Sequence, residues 1–97
     1  MRRKAKIDNN QTAIVNALLG IPGVTVEVGH DDILVGRNGS TYWYELKSDL
    51  AVSKKTGLIL ESQKKNRQKK LEKEFTGHYR IVSSLDEIIS EITEVRQ

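Results

Sequence analysis

Three residues have types and spacing that suit chemistry on a phosphodiester: Asp32, Glu45 and Lys47. They flank Asn38-Gly39, the strongest short signal for a β-hairpin. The run DILVG, Asp32 to Gly36, has an apolar centre, and the run TYWYELK, Thr41 to Lys47, is rich in β-formers. A two-residue loop pairs Arg37 with Ser40, Leu34 with Trp43, and Asp32 with Glu45. A four-residue loop on the same centre gives the same register, whereas a three-residue loop abolishes the facing pair. Opposed residues share a sheet face, with Cβ atoms about 4.5–5.5 Å apart. Lys47 lies two residues beyond Glu45 and shares that face.

Opposed carboxylates repel. The pair is tolerated if one is protonated, if a cation sits between them, or if both lie in open water. Their oxygens suit Mg²⁺ or Mn²⁺. A neighbouring lysine would hold a water or stabilise charge on a phosphate, and together these groups could hydrolyse a phosphodiester. His30 would oppose Lys47 in the extended register and reads as a turn residue. Glu-x-Lys alone carries little: with eight Glu and ten Lys, a shuffled chain holds about one such triplet. The plain alternative is a strand that starts at Asp32 beside a solvated Glu45–Lys47 face. The joint pattern of hairpin and register favours the chemical reading.

The surrounding elements follow from periodicity. Residues 8–19 read as a helix, with Asp8 and Gln11 forming a capping box and Ile7, Ile14, Val15, Leu18 and Leu19 an apolar stripe. Gly20 and Pro22 end it. Val24, Val26 and Val28 alternate as a strand. After the hairpin comes a polar loop over 48–57, long enough to suggest a functional segment. A helix is expected over 60–75, a strand over 79–83, and an amphipathic helix from Ser84, capped with Glu87 and carrying Leu85, Ile88, Ile89, Ile92 and Val95. The order is α-β-β-β-α-β-α, with no repeat and no internal boundary.

Length and composition narrow the classes. Ninety-seven residues allow one domain with a small core. Cysteine is absent, so disulfides, zinc-thiolate sites and thiol catalysis are excluded. No apolar run approaches a membrane span and no signal h-region follows the start, so a cytoplasmic protein is expected. The net charge of +3 is unevenly spread. Residues 1–6 read as a basic tail, Lys64 to Lys73 form a basic run, and the last dozen residues are acidic. Nucleic-acid binders share this lopsidedness, although a solvated helix face would look the same.

Polar residues interrupt the apolar stripes of two helices. Gln11 falls in the stripe of Ile7, Ile14 and Leu18. Lys64 and Arg67 fall in that of Leu60, Leu71 and Phe75, with Gln63 beside it. Such breaks tend to mark function. Gln11 and Gln63 would bind a phosphate or a water at the acidic face, and the bases a nucleic-acid backbone. The plain readings are a capping box for Gln11, a first-turn surface position for Gln63 and solubility for the bases. Tyr42, Trp43 and Tyr44 cannot all face one way, so base stacking by the whole set is excluded, and Tyr42 and Tyr44 read as residues of the core or of a subunit interface.

These residues resemble the small VRR-NUC nucleases of phages and their hosts, within the PD-(D/E)XK superfamily. Asp8-Asn9-Asn10-Gln11 with Ile14-Val15 and Ala17-Leu18 looks like their first helix, His30-Asp31-Asp32-Ile33-Leu34-Val35-Gly36 their Pro-Asp strand, and Glu45-Leu46-Lys47 their E-x-K. Ser62-Gln63 looks like the glutamine opening their post-loop helix, and Gly77 with Ile81-Val82-Ser83-Ser84 their closing strand. The likeness spans nearly the whole chain. Asp31 stands where those nucleases carry proline, so Asp31 competes with Asp32 for the catalytic place or would serve as an accessory acid; the apolar run after Asp32 and the register favour Asp32. Gln11 stands where many superfamily members carry glutamate.

The resemblance implies a single α/β domain over 1–97. It would be a restriction-endonuclease-like αβββαβ core, a mixed four-stranded sheet flanked by helices, with an additional C-terminal helix. It implies Mg²⁺- or Mn²⁺-dependent cleavage of DNA, branched or duplex, in a bacterial or phage-infected cell, by a homodimer with no nucleotide cofactor and no membrane. Asp32, Glu45 and the Leu46 carbonyl would hold the metal, Lys47 would steady the attacking water or the transition state, and Gln63 would assist. Lys54 and Lys55 of the loop, with Lys64, Lys65 and Arg67, would contact the DNA backbone. The rival expectations are a DNA-binding module of the same fold without the chemistry, and an interaction subunit of a larger nuclease.

Overall fold

The computed structural model describes residues 2–29 and 32–94. Helix α1 runs Arg2–Leu19, followed by strands β1 (Val24–Val28), β2 (Asp32–Arg37) and β3 (Ser40–Leu46), helix α2 (Asn66–Glu74), strand β4 (His78–Val82) and helix α3 (Leu85–Ile92). The expected order of seven elements is the observed one. The strands form one sheet in the order β1-β2-β3-β4; β1/β2 and β2/β3 are antiparallel and β3/β4 parallel. This is an α/β fold on a mixed four-stranded sheet flanked by helices.

The sheet has two unlike faces. Val24, Ile33, Val35, Tyr44 and Val82 point into a core closed by Ile14 and Leu18 of α1 and Ile88 and Ile92 of α3. Strand alternation sends Asp32, Leu34, Trp43, Glu45, Tyr79 and Ile81 to the other face. There α2 lies across β3 and β4, with Arg67 and the capping residue Phe75 against Trp43. Asn38 and Gly39 both have positive φ, 51° and 82°, the backbone of the tight hairpin turn that Asn-Gly favours.

Two expectations need correction. The basic tail expected over 1–6 is helical from Arg2, because Arg, Lys and Ala are good helix formers and no glycine or proline intervenes. Asp8 thus lies in the interior of α1 rather than at the start of a helix. The helix expected over 60–75 is broken: Glu61–Gln63 form one 3-10 turn, Lys64 and Lys65 are extended, and α2 begins at Asn66. The Gln68 side chain accepts from the Lys65 N–H at 2.9 Å, which starts the helix there. The long loop expected after β3 is present and carries local structure: Val52 bridges Ile59, and Ser53 Oγ accepts from the amides of Lys55 and Thr56 at 3.2 Å.

Helix α3 matches its expectation: the Ser84 hydroxyl accepts from the Glu87 N–H, and Glu87 Oε2 accepts from the Ser84 N–H. The helix ends at Ile92, and Val95 lies outside the described residues. Among the described residues no helix is long and apolar enough to cross a membrane. Gly39 holds a backbone that alanine adopts only with strain, so Gly39→Ala should lower unfolding free energy by about 1–2 kcal/mol, as measured by urea titration.

Candidate metal and phosphate site

The site begins with the hairpin register. Asp32 opposes Glu45, as the turn arithmetic requires. The residues flanking a two-residue turn exchange hydrogen bonds, so alternation makes Asp32–Glu45 a non-hydrogen-bonded pair, the kind whose side chains lie nearer. The Lys47 N–H donates to Val82 O at 2.8 Å. The odd-numbered peptides of β3 therefore face β4, and the Leu46 carbonyl turns toward the start of β2. Two carboxylates, one carbonyl and a half-buried lysine thus gather at one end of the hairpin. His30 and Asp31 lie outside the described residues.

Packing fixes the two acids. The Trp43 indole Nε1 donates to Asp32 Oδ2 at 2.8 Å. Asp32 Oδ1 lies so close to Gly29 that a Cβ there would collide with it, and the Gly29 N–H donates to Asp32 O at 2.8 Å. Glu45 is 7% exposed. Val28, Leu34 and Trp43 line an apolar cavity of about 360 Å³ beside Asp32. Gln11 reaches the same end from α1, with Nε2 donating to Gly29 O at 3.5 Å.

Tyr79 sits beside Trp43, ring centroids 4.9 Å apart and edge to face. It is 8% exposed, and its hydroxyl is buried without a hydrogen-bond partner. Burial first, and then the charge of Glu45, push its phenol up to about 12. On the opposite face the Tyr44 hydroxyl donates to Glu91 Oε1 at 2.6 Å. Burial and that carboxylate raise its phenol well above the ordinary range.

The basic residues separate into groups. Lys54 and Lys55 are exposed on the turn that follows Ser53, away from the α2 bases in sequence. Lys65 is exposed at the start of α2. The Arg67 guanidinium lies 5.8 Å from the Trp43 ring centroid, within cation–π range. Lys64 is bound by Glu61 at 2.8 Å and Glu72 at 3.0 Å. Burial acts to lower its ammonium pKa, but these two acids outweigh it and the net shift is upward. Gln63 is exposed on the 3-10 turn, its N–H donating to Leu60 O.

The oxygen donors fit a hard divalent cation. The register brings the two carboxylates to one end of the hairpin, where both could supply oxygen to one cation. Among the described residues no third acid or histidine joins the pair, so carbonyl oxygen and water would complete a shell. Three contributors went unread in the sequence: the Trp43 bond to Asp32, buried Gln68, and Tyr79. The first had a signal, since Trp43 is the diagonal neighbour of Asp32 on one face. Compared with family models, curated proteins and solved structures, the chain matches none.

Both phenols ionise later in the folded chain than in the unfolded one. Above pH 10 the folded state therefore holds more protons, and stability falls as pH rises. Urea titrations across pH 8 to 12 should show this loss beginning near the ordinary phenol value of about 10. Tyr79→Phe should flatten the part of the loss that extends up to about 12.

Proposed function

We propose that this chain is a divalent-cation-dependent DNA endonuclease with a restriction-endonuclease-like core, similar to the VRR-NUC nucleases. The observation that carries this reading is the pairing of Asp32 with Glu45 on one sheet face, with Lys47 two residues beyond Glu45, just past the end of β3. The α-β-β-β-α-β order and its single parallel strand pair agree with the core that the resemblance implies, with α3 as the additional helix.

Asp32, Glu45 and the Leu46 carbonyl would hold Mg²⁺ or Mn²⁺. When bound, the cation neutralises phosphate charge and makes water more acidic. Lys47 positions the attacking water or steadies negative charge on the phosphoryl oxygens. Gln63 and Gln11 assist at the phosphate or its water. Lys54, Lys55, Lys65 and Arg67 contact the DNA backbone, while Lys64 helps hold the segment before α2 in place. A second copy of the chain would cover the exposed Val28 and Leu34 beside Asp32.

One observation favours the module without chemistry: the Trp43 indole already occupies an Asp32 oxygen that a cation would need. Cleavage assays decide between them, using duplex, flap, fork and four-way junction DNA with Mg²⁺ or Mn²⁺. Cation-dependent nicking should appear and vanish in Asp32→Asn and Lys47→Ala with unchanged far-ultraviolet dichroism. Undiminished cleavage by both variants would place the chemistry elsewhere. Replacing both Lys54 and Lys55 with Ala should weaken DNA binding across sequences and reduce the salt slope by about 2, measured by fluorescence anisotropy.

A further inference from the structure

Strand β1 is one edge of the sheet. The register fixes which of its backbone groups are free. Arg37 and Ser40 flank the turn and exchange hydrogen bonds, so the peptides of Asp32, Leu34 and Gly36 face β1 instead. Gly36 and Leu34 pair with Thr25 and Glu27, and the Gly29 N–H donates to Asp32 O in the same rhythm. Val24, Val26 and Val28 therefore turn their N–H and C=O groups outward. The Val24 N–H is taken by Ile21 O. Among the described residues nothing bonds the Val26 and Val28 amides or the three carbonyls. Sheet edges are ordinarily guarded by lysine, proline or a bulge. Strand β1 has none of these, whereas the opposite edge strand, β4, carries Arg80 beside Glu87.

We infer that two copies of this chain join through β1, antiparallel about a two-fold axis at Val26, as one continuous sheet. A two-fold interface sets the same patch against itself, and an axis normal to the sheet keeps each residue on its own face. Centred on Glu27, the axis would set that carboxylate against its own copy, which is destabilising. Centred on Thr25, it would set Val28 against Pro22, in the turn before the strand. Centred on Val26, it makes the free groups complementary. Each Val26 N–H donates to the other copy's Val26 carbonyl, and each Val28 N–H to the other copy's Val24 carbonyl. Glu27 then faces Thr25, and Val28, 57% exposed, lies against Val24 of the other copy. The outer faces of both copies open on one side, and strand spacing and rise put the two Asp32 residues roughly 25 Å apart. The pairing itself does not rest on the nuclease reading.

The chain has no cysteine, so single-cysteine variants of the full chain report the register. Val26→Cys and Val28→Cys are treated with a mild oxidant, without DNA, and run on non-reducing gels. Wild type and Val26→Pro are compared by sedimentation. Opposed residues of a hydrogen-bonded pair have Cα atoms about 5.5 Å apart, within disulfide reach, so Val26→Cys should cross-link to near completion. The two Val28 positions lie roughly 14 Å apart, so Val28→Cys should stay uncrosslinked although Val28 is the more exposed residue. Wild type should sediment as a dimer. Val26→Pro removes an N–H that β2 does not use, the one setting in which a strand tolerates proline; it should sediment as a monomer with unchanged far-ultraviolet dichroism. A monomeric wild type overturns the inference. A dimeric wild type in which Val26→Cys fails to cross-link, or Val28→Cys cross-links as fully, overturns it too, because another surface then joins the copies. A folded Val26→Pro that stays dimeric does the same. If Val26→Pro unfolds, the cross-linking pair alone decides. No readout involves cleavage, so the dimer and the nuclease activity are tested apart.

Discussion

Two consecutive residues with positive φ, Asn38 and Gly39, dictate which side chains of β2 and β3 meet. A sheet alternates with period two, so a slip of one residue would send every side chain of a strand to the other face. The turn and the buried residues reinforce each other here. Ile33 and Val35 must face α1 and α3, and a register that satisfies them sends Asp32 outward to meet Glu45. The chemistry proposed for this chain therefore inherits its geometry from hydrophobic burial on the reverse side of the sheet.

The two faces divide the work. On one, nine buried residues among those described form an apolar core, the main source of stability in a chain this small. On the other, α2 covers only part of β3 and β4, and opposed carboxylates are accommodated rather than avoided. The indole of Trp43 gives Asp32 a donor, and Gly29 leaves room for its second oxygen. Such a pair is unfavourable by itself. A small protein can keep it because the opposite face is satisfied.

The sequence was most readable where interactions are local. The hairpin register, the alternation of β1 and the Ser84–Glu87 cap all follow from residues a few positions apart. It was least readable where distant segments decide. The start of α2 depends on Gln68 reaching back to the Lys65 amide and on Glu72 drawing Lys64 out of the helix; from periodicity alone these look like ordinary helix positions. The α1 boundary failed for another reason: a plausible cap at Asp8 outweighed six residues that had nothing to stop a helix. The orphaned hydroxyl of Tyr79 requires the parallel β4 and the overlying α2 together, and no spacing rule announces that.

The clasp between the hairpin and α3 bears on how such a chain assembles. Arg37, beside the turn, donates to the carbonyl of Ile92, and Tyr44 of β3 to Glu91. During synthesis the hairpin leaves the ribosome well before these partners, so the core side of its sheet waits covered by α1 alone. Closure of the interior is thus a late event, and a nascent chain stalled before residue 85 would present Ile33, Val35 and Tyr44 to chaperones or to other chains.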